Sequence, residues 1–168
     1  IGYFLSYIFE QHHPMASAMM VIFMLIVSTW ISLHSIKDKR RENLGHAFIA
    51  MTLGSIPVLV LITMIVIPSQ LWYAPAFLIP LAGMIFATSM NCIGIAAERF
   101  ESELCNNEII TAKRLALKAA LIPRVNSFFA VGLVSLPGMM TGQILSGVDP
   151  LIAVRYQIVV MTMLLGAG

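Results

Sequence analysis

Long apolar runs without a single charge, set apart by short polar loops, constrain this chain more than any motif in it. A helix needs about 20 consecutive apolar residues to cross the hydrocarbon core of a bilayer. The runs from Pro14 to Ile36, Leu44 to Ile67 and Ala76 to Ala97 each reach that length. Only 11% of the 168 residues are charged and 59% are apolar, against about 25% charged in an ordinary soluble domain. The mean hydropathy is +0.90. The chain therefore reads as an all-α integral membrane protein, a single polytopic helical bundle.

In chain order, Ile1 to Phe9 is an uncharged run too short to span, and reads as the tail of a helix whose start is missing. Pro14 stands in the first turn of the first full span, where its absent N–H costs nothing. The turn Pro68 to Pro75 carries Trp72 and Tyr73, the aromatic pair expected at headgroup level. After a polar stretch, a fourth span is expected from Ser127 to Ser146 and a fifth from Leu151 to Gly168, which ends while still apolar. The expectation is about five spans plus a partial N-terminal one, truncated at both ends.

Loop charges set the orientation. The turns 10–13 and 68–75 hold no Lys or Arg, whereas 37–43 and 98–124 hold nearly all of them, in alternation with the spans. By the positive-inside rule the basic loops are cytoplasmic, which implies a multi-pass protein of the cell's inner (plasma) membrane. Gly147-Val148-Asp149-Pro150 then marks an outer turn, with Asp149 able to cap the helix that begins at Pro150 or Leu151. The net charge of +2 makes no case for nucleic acid. Cys92 lies in an apolar run and Cys105 in a polar one, and the two make neither a disulfide framework nor a zinc spacing.

The stretch Ala119 to Gln157 reads as the organising element. It enters the membrane at Pro123 and continues as a long uncharged run broken at Pro137-Gly138. Lipid supplies no hydrogen-bond partner to the freed carbonyls, so this segment is expected to face other helices, with the remaining spans gathered around it. Broken helices line substrate routes in transporters, although a proline often does no more than bend a helix. Glu98 to Arg124 mixes charges with Leu104, Ile109, Ile110, Leu115, Leu117 and Leu121, the pattern of an amphipathic helix at the cytoplasmic face. It serves either as a solvated joint between spans or as a docking helix for a cytoplasmic partner.

These residues carry a resemblance. AALIPRVNS, VGLVSLPGMMTGQILSGVDP and YQIVVMTML, with IPLAGMIFATSMNCIG at Ile79 to Gly94 and IGYFLSYIF at the start, are similar to the permease subunits of FetB-type iron-export ABC transporters, whose plant relatives include aluminium-tolerance proteins. The resemblance implies an ATP-driven exporter in which two permeases, a homodimer in the membrane lipid, are served by two cytoplasmic ABC ATPase subunits. No cofactor is implied on this chain; ATP and Mg belong to the partner. The residues agree, because no G-x-x-x-x-G-K-[ST] phosphate cradle occurs and no Gly is followed by Lys.

The family couples to its ATPase through a stretch of the form LALGA followed some residues later by AAL-P. Here RLAL at Arg114 to Leu117 resembles the left half and KAALIP at Lys118 to Pro123 the right, with the Gly-Ala and turn between them gone. Either the loop is short or residues are missing between Leu117 and Lys118; the second reading is favoured, and it predicts α-carbons much farther apart than the 3.8 Å or so of bonded neighbours. Coupling candidates are Glu101, Glu103, Arg114, Leu117, Lys118, Ala119 and Ala120. Asn126 stands where the family commonly has an acid, Phe129 where it often has a base, and Ala87-Thr88 where it has Gly-Asn, so the inner mouth has lost an ionisable pair.

Candidates for the substrate pathway are Pro137, Gly138, Met139 and Met140 at the break, with Asn91, Thr141 and Gln143 as uncharged polar groups expected to face the bundle. Thioethers suit copper(I) better than iron, and Met15, Met19, Met20 and Met24 read as packing or lipid contact. His12 and His13 read as solvated, and His34 and His46 as interfacial. Asp149 and Arg155 form either a functional pair, extended by Tyr156 and Gln157, or a cap and a snorkelling arginine. No Ser-His dyad, paired Asp or metal-ligand cluster stands at helix spacing, which disfavours an intramembrane enzyme. A transition-metal exporter, an organic-solute permease of nucleotide-sugar type, and a passive channel or scaffold remain.

Overall fold

A computed structural model describes residues 14–34, 40–66, 75–105, 107–131 and 137–168. The partial helix at Ile1 to Phe9, His12 and His13, the loop tip 37–39 and the Trp72-Tyr73 pair lie outside the described residues. The elements are α1 (Pro14–Ser32), α2 (Arg40–Val66), α3 (Pro75–Leu104), α4 (Ile109–Ala130), α5 (Gly138–Leu145) and α6 (Pro150–Ala167). Among the described residues three stretches are long and apolar enough to cross a membrane, namely Asn43–Met64, Phe77–Leu104 and Pro150–Ala167, and the apolar part of α1, Ser17–Ser32, is shorter. The expected all-α membrane bundle is what the chain forms.

Its hub is α3, which packs against α1, α2, α4 and α6. Ala82, Ile85 and Phe86 of α3 meet Val21 and Leu25 of α1, Met51, Leu59 and Ile62 of α2, and Val160 and Met163 of α6 in one buried core. Glycines let the backbones close: a Cβ on Gly94 would stand 3.0 Å from the Ser32 carbonyl oxygen, and one on Gly83 3.2 Å from Met24 Cε. These two contacts keep chain order, so α1 and α3 run parallel.

The organising role expected of Ala119 to Gln157 therefore falls to α3. The reason lies in side-chain supply. α5, the segment after the break, buries none of its residues, whereas α3 presents small or apolar residues on several faces. The break itself stands as read: α4 ends at Ala130, Pro137 is extended (φ −60°, ψ 141°), and α5 has only eight residues, about 12 Å of helix and too short to span. The single span expected over Ser127 to Ser146 is thus divided.

The polar stretch is also redistributed. Residues 98–104 continue α3 beyond its apolar part, and after a turn α4 folds back antiparallel along α3. Instead of a surface-lying amphipathic helix, α4 buries Ala112, Ala116 and Ala120. Alanines four residues apart let two helices approach closely, and that seam outweighs the pull of the flanking charges toward a headgroup layer. Leu117 and Lys118 stand in the middle of α4, which runs on through both. On the other side of the bundle, Gly147 turns with φ +88°, and Asp149 Oδ1 accepts a hydrogen bond of 2.8 Å from the Leu151 N–H, with Pro150 in the first turn of α6 as expected.

Candidate functional site: a cleft at the basic end and a polar node in the core

The ends of α1 and α3 and the starts of α2 and α4 surround a cleft of about 580 Å³. Its walls are apolar, with Leu33, Ala47, Ile93, Phe100 and Leu104, and its polar groups are Asn43, His46, Glu101 and Lys113. The start of α2, at Arg40 and Arg41, and the turn between α3 and α4 therefore lie at one end of the bundle, in keeping with the charge pattern. Glu101 and Leu117 of the coupling candidates line this cleft. Glu103 is paired with Arg99 and accepts from Asn107 Nδ2 at 2.6 Å, Arg114 and Lys118 are exposed, Ala119 is half-buried, and Ala120 is buried against α3.

Deeper in, hydroxyl groups divide into two kinds. Ser28, Thr29, Ser32, Thr52, Thr63 and Thr162 each donate to a carbonyl three or four residues earlier in their own helix, which satisfies them without a neighbour. Ser55 and Ser89 instead bond across helices: Ser55 Oγ donates to Ser89 Oγ at 2.9 Å, and Ser89 Oγ to the Ala167 carbonyl at 2.7 Å. Cys92 Sγ donates to the Gly168 carbonyl at 3.0 Å, and Arg124 donates to the Thr88 carbonyl. Four helices, α2, α3, α4 and α6, thus converge on one polar node within an apolar core. The interhelical bonds average about 0.6 kcal/mol each in membranes. Ser89→Ala is accordingly expected to lower stability by about 1 kcal/mol, read as an earlier melting midpoint in detergent, with Ser28→Ala unchanged as the control.

The pathway candidates are scattered. Met139 and Gly138 are exposed, and Pro137 and Met140 are half-buried. Asn91 faces outward and not into the bundle, and Thr141 is occupied by the Pro137 carbonyl at 3.2 Å. Asp149 and Arg155 do not pair: the carboxylate caps α6 and Arg155 is exposed. The amide oxygens of Gln143 and Gln157 are buried without a hydrogen-bond partner among the described residues. His46 borders the cleft and His34 is exposed. Among the described residues no group of three or more His, Cys, Asp or Glu is placed to hold a metal ion.

Ser55, Ser89 and Arg124 were not singled out by the sequence reading. Ser55 and Ser89 look like the other hydroxyls of these helices, and only the proximity of Gly54 to Ser55 hints at close approach. Arg124 reads only as the last charge of the polar stretch that begins at Glu98.

Comparison with known proteins bears on what such a bundle does. The chain matches the family described as "Uncharacterised protein family (UPF0014)" over residues 1–117 and 106–168, two matches that overlap at 106–117. It is 35% identical to the UPF0014 membrane protein slr1647 of Synechocystis, over 98% of this chain and 70% of that protein. It is 31% identical to the "Probable iron export permease protein FetB" of Escherichia coli, over 100% of this chain and 70% of that one. To the "Protein ALUMINUM SENSITIVE 3" of Arabidopsis thaliana the figures are 29%, 100% and 66%. No solved structure matches the chain.

Proposed function

Because the chain belongs to the UPF0014 family of membrane proteins, we propose that it is the transmembrane permease subunit of an ABC exporter, moving a transition metal such as iron out of the cytoplasm. The observation that supports this reading most directly is the α3–α4 hairpin. It extends past the apolar part of the bundle, carries Glu98, Arg99, Glu101, Glu103, Lys113 and Arg114, and walls a cleft at the basic end. A relative named as a probable iron export permease supports the choice of cargo. ATP and Mg bind a separate ATPase subunit, and two permeases assemble side by side in the plasma membrane.

The mechanism follows from how the hairpin is held. The alanine seam fixes α4 to α3, so a push on the turn at 105–108 moves both helices as one body. Closure of two ATPases on ATP tilts that body and alternately exposes the route between α2, α3, α4 and α6 to either side. A second cargo class, an amphiphilic organic solute, is favoured by the apolar walls of the cleft.

The test is nucleotide-dependent iron flux in vesicles holding the permease with its ATPase. Flux is expected to require both ATP and the co-purifying ATPase. Flux without nucleotide would instead identify a passive channel.

A further inference from the structure

Both α2 and α4 pack against α3, and the cleft of about 580 Å³ at the basic end opens where the three meet, beside Leu33 at the end of α1. Its polarity changes along its length. Ala50, Ile93 and Ala96 line it within the apolar parts of α2 and α3, whereas Asn43, Glu101 and Lys113 line it at the loop end. From Ile93 to Glu101 is about 12 Å of helix, close to the roughly 15 Å that one leaflet contributes to the hydrocarbon core. Ala47, Ala97 and Ala116 keep the walls low and apolar between the two ends.

The charges at the loop end have opposite signs. Cys92 stands opposite Ala120 and Thr88 opposite Arg124 in the antiparallel pair of α3 and α4. That register puts Glu101 roughly 3 Å, or two residues, from the level of Lys113. Glu101 is half-buried and Lys113 exposed, and among the described residues neither belongs to an ion pair. Arg99 and Glu103, on the same turn as Glu101, are taken up by each other. Pockets with basic groups between helices on the cytoplasmic side receive lipid headgroups. A lysine serves a phosphate as a point charge, and a primary ammonium donates charge-assisted hydrogen bonds to a carboxylate. A headgroup carrying both signs therefore answers both sides of this mouth, while its acyl chain lies along the alanines.

We propose that the cleft holds a zwitterionic phospholipid of the leaflet at the basic end, with its phosphate at Lys113, its primary ammonium at Glu101 and a chain running toward Ile93. Asn43 and His46 of α2 complete the headgroup site. The lipid wedges α2 apart from α4 and sets the spacing of the two helices on α3. This site is separate from the cargo route and does not depend on the exporter reading.

The experiment uses the purified full-length protein, stripped of lipid in detergent and then given phosphatidylethanolamine, phosphatidylcholine or phosphatidylglycerol with the same acyl chains. Lipid retained per chain is counted by native mass spectrometry, and the melting midpoint is read beside it. One phosphatidylethanolamine per chain is expected, retained over the other two by at least about five-fold, with a raised midpoint. Phosphatidylcholine has no N–H for Glu101, and phosphatidylglycerol has no cation. Glu101→Gln is expected to level phosphatidylethanolamine with phosphatidylcholine, and Lys113→Gln to weaken all three. Ala97→Phe fills the cleft and is expected to expel lipid with every charge intact, whereas Lys118→Ala, on α4 but outside the cleft, changes nothing. If Ala97→Phe does not fold, the two changes at the mouth still decide. Equal retention of the three lipids, or phosphatidylethanolamine retention unaltered in Glu101→Gln, overturns the proposal. So does loss of the lipid when the ATPase assembles on the protein, which would give the cleft to a segment of that partner.

Discussion

Ala116→Leu and Ala120→Leu, introduced together, are expected to strip α4 from α3 and leave little monodisperse protein in mild detergent. Both alanines are buried in the α3–α4 seam, Ala120 opposite Cys92 and Ala116 on the wall of the cleft. Each substitution adds three carbon atoms at a buried position of the seam. Overpacking of this kind costs about 1–3 kcal/mol per site, and the two sites lie one turn apart on the same seam. Their joint cost is a large share of a total stability of about 5–15 kcal/mol. Lys118→Ala, on the same turn but exposed, is the matched control and should melt with the wild type. A double variant with an unchanged melting midpoint and elution profile would mean that α4 is not held by this seam, and the hairpin could not act as one lever.

The second large effect concerns sidedness. A membrane-impermeant maleimide applied to the cytoplasmic face is expected to attach one label per chain, at Cys105, and applied to the outer face to attach none. Cys105 is exposed on the turn between α3 and α4, at the end of the bundle flanked by the basic loops. Cys92 is buried, with its sulfur bonded to the Gly168 carbonyl, and should react only after denaturation. Cys105→Ser is therefore expected to abolish labelling of the folded protein. Labelling of Cys105 from outside would invert the topology and remove the hairpin from any cytoplasmic ATPase.

Much of the architecture was legible before any coordinate. The apolar spans of α2 and α3, the break at Pro137-Gly138, the cap at Asp149 and the grouping of the basic loops at one end all follow from properties summed over a short window of chain, and the described residues bear them out. The family likeness read from VGLVSLPGMM and its neighbours was legible for the same reason, because a motif is a local string. The functional placement was less so. Asn91 was expected to face inward and faces outward, because the rotation of a helix apolar on nearly every side is not marked by its own residues. Arg124 was read as the last charge of the polar stretch that begins at Glu98, yet α4 continues through it and carries Pro123 inside the helix.

What the sequence determined by itself was the membrane setting, the helical class and the family, since each depends on which residues follow one another. What only the tertiary structure decided was that α3 is the hub, that α4 lies along it, and that Ser55, Ser89, Cys92 and Arg124 meet at one depth. Those outcomes turn on the rotation and register of one helix against another, and these are set by close contacts such as Gly94 against Ser32, between residues far apart in the chain.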